Sequence, residues 1–176
     1  VNGDGLLDIY VTLSGRPSGE KRHNRLYINN GDLSKENDGS DLTFTESAEE
    51  YNLMDDGLST HGVFFDYNGD NLLDLYLISN SFHEVGGYED VTGSDRQIPD
   101  PRGASKLYRN DGGRFTDVTD EAGIYSSVLG FGMSASVGDV NRDGLPDLYV
   151  ANDFFERDYL YINNGDGTFT ESLEDR

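Results

Sequence analysis

A nine-residue pattern of acidic and amide residues occurs three times in this chain. Two copies are complete, DYNGDNLLD at 66–74 and DVNRDGLPD at 139–147, and the third, NGDGLLD at 2–8 preceded by Val1 at position 2, lacks position 1. Oxygen-bearing side chains recur at positions 1, 3, 5 and 9, so alternate residues of a tight loop can direct their oxygens at one centre. Ca²⁺ takes six to eight oxygen ligands at about 2.3–2.6 Å. The pattern therefore predicts calcium-binding loops.

The predicted ligands follow from the loop positions, with the backbone carbonyl of position 7 and the carboxylate of position 9 completing each set. They are Asn2, Asp4, the Leu6 carbonyl and Asp8; Asp66, Asn68, Asp70, the Leu72 carbonyl and Asp74; and Asp139, Asn141, Asp143, the Leu145 carbonyl and Asp147. Position 6 has to turn sharply. It is Gly5, Asn71 or Gly144, and both residue types tolerate a left-handed backbone.

Two other structures share part of this pattern. An EF-hand has a similar opening, but it requires a glutamate at position 12 and a helix on each side. Position 12 is instead Val11, Leu77 or Val150, and the residues after position 9 have the β-branched and aromatic character of strands. The loops are therefore expected at β-turns. A set of Asp, Asn and Gly hairpin turns without metal stays the alternative interpretation.

A larger repeat surrounds each loop. A Leu-Tyr-x-Asn strand follows it and runs into an Asn-Gly or Asp-Gly hairpin turn, at 24–32, 105–113 and 158–167. A short Phe-Thr-acidic strand comes next, at 44–46, 115–117 and 169–171, and strands at 62–65 and 131–138 lead into the two complete loops. We therefore predict an all-β chain whose units are β-propeller blades of four antiparallel strands with calcium-binding loops.

This repeat divides the chain into three blades of one propeller domain, namely 1–60, which lacks its first strand, 61–130 and 131–176. The second blade carries an insertion at 82–103, and long loops on a rigid scaffold often carry binding residues. The apolar run at 73–78 predicts a strand that is packed on both faces. Three blades cannot close a ring, so we expect a partial propeller whose remaining blades belong to the same polypeptide.

The composition limits which molecules the protein is expected to bind and where in or outside the cell it is expected to lie. The chain of 176 residues has 34 acidic and 13 basic residues and a formal net charge of −21, which disfavours binding to nucleic acid or to anionic membranes. No apolar run is long enough to insert into a bilayer. The chain has no cysteine, so we expect calcium rather than disulfides to stabilise the fold. Weak calcium loops suit calcium-rich surroundings, and we therefore expect an extracellular, cell-surface or periplasmic protein.

The motifs also point to a family. Phe131-Gly132 followed by GDVNRDGLPDLYV at 138–150 resembles the FG-GAP or VCBS repeat, which is known from integrin α-chain propellers and secreted bacterial proteins. The Leu-Tyr-x-Asn-x-Gly and Phe-Thr-acidic segments are similar to the cartilage acidic protein and ASPIC/UnbV branch. The resemblance implies a seven-bladed propeller in the full protein and about three Ca²⁺ sites at the ligands named above. The Gly-Ala-Pro part of the repeat is absent, so integrin-like ligand recognition is not implied.

The sequence favours a non-enzymatic role. It contains no Gly-x-Ser-x-Gly nucleophile, no phosphate loop and no pair of histidines at ligand spacing, and it yields no catalytic residues. The first hypothesis is a calcium-stabilised extracellular module that recognises a protein or a glycan. Two alternatives stay open: a polysaccharide-active enzyme, which the fold alone permits, and a structural component of a cell surface or filament.

Overall fold

The computed structural model describes residues 1–14, 23–32, 41–82, 98–100, 102–154 and 156–173. Within these ranges the chain forms eleven β-strands and no α-helix. The strands make three separate sheets of three, four and four strands, and every pairing is antiparallel. The predicted all-β class, with blade-like units of four antiparallel strands, is confirmed.

The strands follow one another in each sheet in the order of the sequence. The first sheet contains β1 (Ile9–Val11), β2 (Arg25–Asp32) and β3 (Leu42–Glu46); the second contains β4 (Leu58–Phe65), β5 (Asp74–Asn80), β6 (Lys106–Asn110) and β7 (Phe115–Asp117); and the third contains β8 (Gly132–Gly138), β9 (Asp147–Asn152), β10 (Tyr159–Asn163) and β11 (Phe169–Glu171). Of the predicted insertion at 82–103, residues 83–97 and 101 lie outside the described residues.

The three sheets share one register. Ile9 pairs with Tyr27 in the first sheet, and the equivalent pairs are Leu75 with Tyr108 and Leu148 with Tyr161. The two complete nine-residue loops close the β4–β5 and β8–β9 hairpins, where Phe65 pairs with Asp74 and Gly138 with Asp147. The loops therefore lie between strands, as the comparison with the EF-hand predicted.

The predicted hairpin turns after the third strand are confirmed in the second and third sheets. The backbone N–H of Asp111 donates to the Arg114 carbonyl at 2.8 Å, and that of Asn164 donates to the Thr168 carbonyl at 3.0 Å. In the first sheet, residues 33–40 of the corresponding connection lie outside the described residues.

Strand β5 is packed on both faces. Leu75 and Leu77 are buried in one hydrophobic cluster with Leu26 of the first sheet, while Tyr76 and Ile78 are buried in another cluster that includes β9 and β10 of the third sheet. Alternate residues of a strand point to opposite faces of its sheet, so this one strand joins both clusters. The two-sided packing predicted from the apolar run is confirmed from Asp74 onwards, whereas Leu73 is 45% exposed in the loop.

The outer face of the third sheet contrasts with this arrangement. Leu148 and Val150 of β9 are buried against the second sheet, but Tyr149 between them is 38% exposed, and Met133 of β8 is 61% exposed. Tyr76 and Tyr161, the tyrosines of two other Leu-Tyr pairs, are instead buried in the cluster that joins the second and third sheets.

We predict that Leu77→Ala destabilises the protein far more than Met133→Ala does. Leu77 is fully buried between the first and second sheets, and truncating such a leucine costs about 2–5 kcal/mol of unfolding free energy because a cavity remains. Met133 is largely exposed, so its truncation should cost less than about 0.5 kcal/mol. Urea denaturation of both variants measures the difference, and equal midpoints would contradict the two-sided packing of β5.

Candidate metal-binding loops

The three loops share one backbone conformation at position 6. The φ angles of Gly5, Asn71 and Gly144 are 83°, 67° and 90°. This left-handed conformation is the one that glycine and asparagine adopt at least cost. The sharp turn that the sequence predicted at position 6 is therefore confirmed in every copy.

Position 4 has the same left-handed conformation, which the sequence analysis missed. Here φ is 77° for Gly3, 79° for Gly69 and 68° for Arg142. An arginine with positive φ is uncommon. Because one copy has arginine at position 4, the sequence did not reveal that this position has to be left-handed in all three loops. Two left-handed residues, separated by one other, curl each loop tightly around its own side chains.

The carboxylate at position 1 lies inside this curl. Asp66 Oδ1 accepts hydrogen bonds from the backbone N–H groups of Gly69 and Asp70 at 2.8 and 3.2 Å, and its Oδ2 accepts one from Asn71 at 2.9 Å. Asp139 accepts the three equivalent bonds in its own loop, at 2.7, 3.1 and 2.9 Å. The backbone thus wraps around position 1 in both complete loops.

Positions 3 and 5 are joined to each other. Asn68 Oδ1 accepts the backbone N–H of Asp70 at 3.0 Å, Asn68 Nδ2 donates to Asp70 Oδ2 at 2.9 Å, and Asp70 Oδ1 accepts the N–H of Leu72 at 2.8 Å. The same three bonds recur in the other two loops. In the first loop, the N–H of Leu6 and the amide of Asn2 lower the pKa of Asp4.

The carboxylate at position 9 is buried and ties the loop to the Leu-Tyr-x-Asn strand of its sheet (β2, β6 or β10). Asp74 Oδ1 accepts the backbone N–H of Asn110 at 2.8 Å, and its Oδ2 accepts that of Tyr67, at position 2, at 3.1 Å. Asp147 accepts the equivalent bonds from Asn163 and Val140 at 2.9 and 2.8 Å. Asp8 accepts hydrogen bonds from the backbone N–H of Asn29 and from the amino group of Val1.

Burial raises the pKa of Asp74 to about 6. The two backbone N–H groups oppose this shift, and the neighbouring carboxylates of Asp70 and Asp66 reinforce it. A cation next to these three carboxylates would favour their ionised forms. The local electrostatics are therefore those of a loop that gains from a positive ion.

The donor set suits a hard cation, although acidic side chains alone do not form a metal cluster. Within the described ranges, no three His, Cys, Asp or Glu side chains converge as a metal-binding group. Each complete loop offers oxygens of several kinds: the carboxylates of positions 1 and 5, one amide, one backbone carbonyl and one buried carboxylate. Such an all-oxygen mixture fits Ca²⁺ better than softer metals. Metal binding by the predicted ligands stays a prediction.

The opposite end of each sheet has its own repeated contact, which the sequence analysis did not find. The Tyr149 hydroxyl donates to Asp158 Oδ2, and Asp158 Oδ1 accepts the backbone N–H of Asn152 at 2.8 Å. In the first sheet, Asn24 bonds the Tyr10 hydroxyl at 3.0 Å and the Leu13 N–H at 2.8 Å. Ser105 takes this place in the second sheet. The residue type differs in each copy, so no motif signals the contact.

An exposed aromatic residue also lies at this end. Phe154 is 55% exposed, has a φ of 60°, and packs edge-on against Phe131 with ring centroids 5.0 Å apart. The backbone N–H of Ser81 bonds the Gly130 carbonyl, so Phe82 lies near the same edge, where Arg102 stacks on its ring at 5.0 Å. We name Phe82, Phe131 and Phe154, which this backbone bond and this ring contact place along one edge away from the loops, the aromatic ledge.

Comparison with known families agrees with the geometry. The family model described as FG-GAP-like repeat matches residues 1–77, 87–150 and 139–175. The chain belongs to the FG-GAP repeat family. The matches span all three sheets of this FG-GAP repeat protein and leave out only 78–86 and the last residue. The finer resemblance to the cartilage acidic protein and ASPIC/UnbV branch stays a prediction.

Two further findings concern the FG-GAP repeat protein. No curated protein matches its sequence. Among the residues that the structure describes, no helix has the length and apolarity needed to cross a bilayer.

We predict that, in the presence of a chelator at pH 7, Asp74→Ala destabilises the protein more than Asp70→Ala does. Asp74 is buried, and its removal leaves the N–H groups of Tyr67 and Asn110 without their acceptor, which costs roughly 1–3 kcal/mol. Asp70 is exposed, and its partners can turn to water. Urea denaturation in EDTA measures both values. Equal losses would show that the buried carboxylate does not organise the metal-free loop.

Proposed function

We propose that this FG-GAP repeat protein is a calcium-stabilised β-propeller module that recognises a partner molecule outside the cytoplasm. The observation that carries the proposal is the repetition of one loop conformation in three sheets. In each sheet, left-handed residues at positions 4 and 6 and a buried carboxylate at position 9 present the same oxygen donors at the same corner.

The bound ion would supply positive charge at the place where each loop concentrates carboxylates. In the second sheet, Asp66, Asp70 and Asp74 lie within one nine-residue turn, and the chain as a whole has a net charge of −21. A divalent ion that binds the folded loop but not the unfolded chain adds its binding free energy to the free energy of folding. Calcium would thus have a structural role and would set the angle at which two strands leave the loop.

We predict that calcium raises the melting temperature of the protein. A ligand present at a hundred times its dissociation constant adds about 2.7 kcal/mol per site, and for a chain of this size about 1 kcal/mol shifts the melting temperature by roughly 2–4 °C. Each occupied loop should therefore raise it by at least about 5 °C. Calorimetric scans in calcium and in EDTA measure the shift.

The site assignment is tested by single variants. Asp70→Ala and Asp143→Ala should each remove part of the calcium-dependent shift, because each deletes a predicted ligand. Asp120→Ala is a matched control, since Asp120 is an exposed acidic residue outside the loops. If the melting temperature is the same in calcium and EDTA, or if the control loses as much of the shift, calcium does not act through these loops.

For the partner, we propose a protein or a glycan that contacts the aromatic ledge. The ledge carries one exposed aromatic ring, Phe154, and one cation–aromatic pair, Phe82 with Arg102, and aromatic side chains supply large contact area at low entropic cost in binding sites. The acidic surface favours neutral or cationic partners over anionic ones.

We predict that Phe154→Ala weakens capture of a bound glycan or protein at least about tenfold, the loss typical of a central aromatic contact. Arrays of neutral and cationic glycans and of extracellular proteins identify the ligand, and titration of the variant measures the loss. Met133→Ala is a control because its exposed side chain lies on a sheet face. If Phe154→Ala binds the partner with unchanged affinity, the partner does not bind at the aromatic ledge. Release of reducing sugar from a polysaccharide would favour the enzyme hypothesis.

A further inference from the structure

One asparagine occupies the same place in all three sheets, two residues after the tyrosine of the Leu-Tyr-x-Asn strand (β2, β6 and β10). Its side-chain oxygen accepts the N–H of the hairpin glycine, and its amide donates to the carbonyl of loop position 8 in its own sheet. These asparagines are Asn29, Asn110 and Asn163, and their amide bonds to the carbonyls of Leu7, Leu73 and Pro146 measure 3.1, 3.1 and 3.2 Å.

In two of the sheets the amide makes a second bond, which crosses to the preceding sheet. Asn163 Nδ2 donates to the Tyr67 carbonyl at 2.8 Å, and Asn110 Nδ2 donates to the Val1 carbonyl at 3.2 Å. Tyr67 and Val1 both occupy position 2 of a nine-residue loop. The asparagine of one sheet therefore holds the loop of its own sheet and the loop of the sheet before it.

Position 2 matters because its N–H orients the buried carboxylate. Tyr67 N–H donates to Asp74 Oδ2, the predicted ligand at position 9. The Tyr67 ring is buried and packs against Phe169 of the third sheet at 5.8 Å. The carbonyl and the ring of Tyr67 are thus both fixed by the third sheet, while its N–H fixes a predicted ligand of the second.

We infer that Asn163 is a positioning residue for two metal loops at once, 66–74 and 139–147, and that Asn110 has the same role for 2–8 and 66–74. The inference rests on the proposed calcium function and adds to it that the affinity of one loop depends on a side chain of the next sheet. Asn163 is 2% exposed, so water cannot readily replace its amide. Its loss leaves the Tyr67 and Pro146 carbonyls without this donor.

The experiment measures the affinity of one loop in the full chain. Asp4→Ala and Asp143→Ala disable the first and third predicted loops and leave 66–74 intact. In this background, Asn163→Ala should weaken calcium binding, measured by isothermal titration, by about tenfold, the typical effect of removing a residue that orients metal ligands. Asn163 touches none of the side-chain ligands of loop 66–74, so the loss would be transmitted through Tyr67.

Two controls separate positioning from general destabilisation. Asn164→Ala removes the neighbouring asparagine, which bonds only Thr168 and Thr170 of its own hairpin among the described side-chain contacts, and its affinity should stay within about twofold. Val150→Ala removes a buried side chain of the third sheet and lowers stability without touching the loop. If Asn163→Ala does not fold, Asn163→Ser is tested in its place, because serine retains a hydrogen-bond donor on a shorter side chain.

The outcomes are distinct. Loss of affinity in Asn163→Ala, with the controls unchanged, supports the inference. Affinity within twofold of the background, or an equal loss in Val150→Ala, overturns it and leaves the calcium function intact. If the unmodified chain binds no calcium at all, the proposed function fails, and the inference fails with it.

Discussion

The structure depends on a carboxylate that is buried where each loop meets the following strand and that accepts backbone N–H hydrogen bonds at both of its oxygens. Asp74 and Asp147 each accept one N–H from position 2 of their own loop and one from the third strand of their sheet. Burying a carboxylate is costly unless its oxygens are satisfied. Here two directed bonds at each site hold three segments in one arrangement. The loop, the second strand and the third strand are therefore positioned together.

This local arrangement is combined with packing that extends from sheet to sheet. Strand β5 places leucines against the first sheet and Tyr76 and Ile78 against the third, so the middle sheet contributes to both hydrophobic clusters. The aromatic rings of Tyr67 and Phe169 meet between the second and third sheets directly beside the loops. Loop geometry and sheet packing are thus not independent features, because the same residues take part in both.

Much of this architecture could be predicted from sequence, because it depends on local patterns. Loop spacing, the turn at position 6, the Asn-Gly and Asp-Gly hairpins and the two-sided character of β5 all follow from residues close together in the chain. The features that were missed have two causes, a local pattern that one copy obscures and contacts that depend on long-range register. The left-handed turn at position 4 was hidden by Arg142, and the partners of Asn163 lie as far away as Tyr67. A recurrent Leu-Tyr-x-Asn motif marked this asparagine, but the motif does not reveal which carbonyls it bonds.

The tyrosine contact at the far end of each sheet has a consequence for how such a repeat can vary. Asn24, Ser105 and Asp158 perform one task with three different side chains. The reason is that a phenol hydroxyl can give or take a hydrogen bond. The loop end has less tolerance, since its geometry depends on main-chain angles and on a buried carboxylate. One end of each sheet is thus free to vary in side-chain chemistry, while the other end fixes the angle between neighbouring strands.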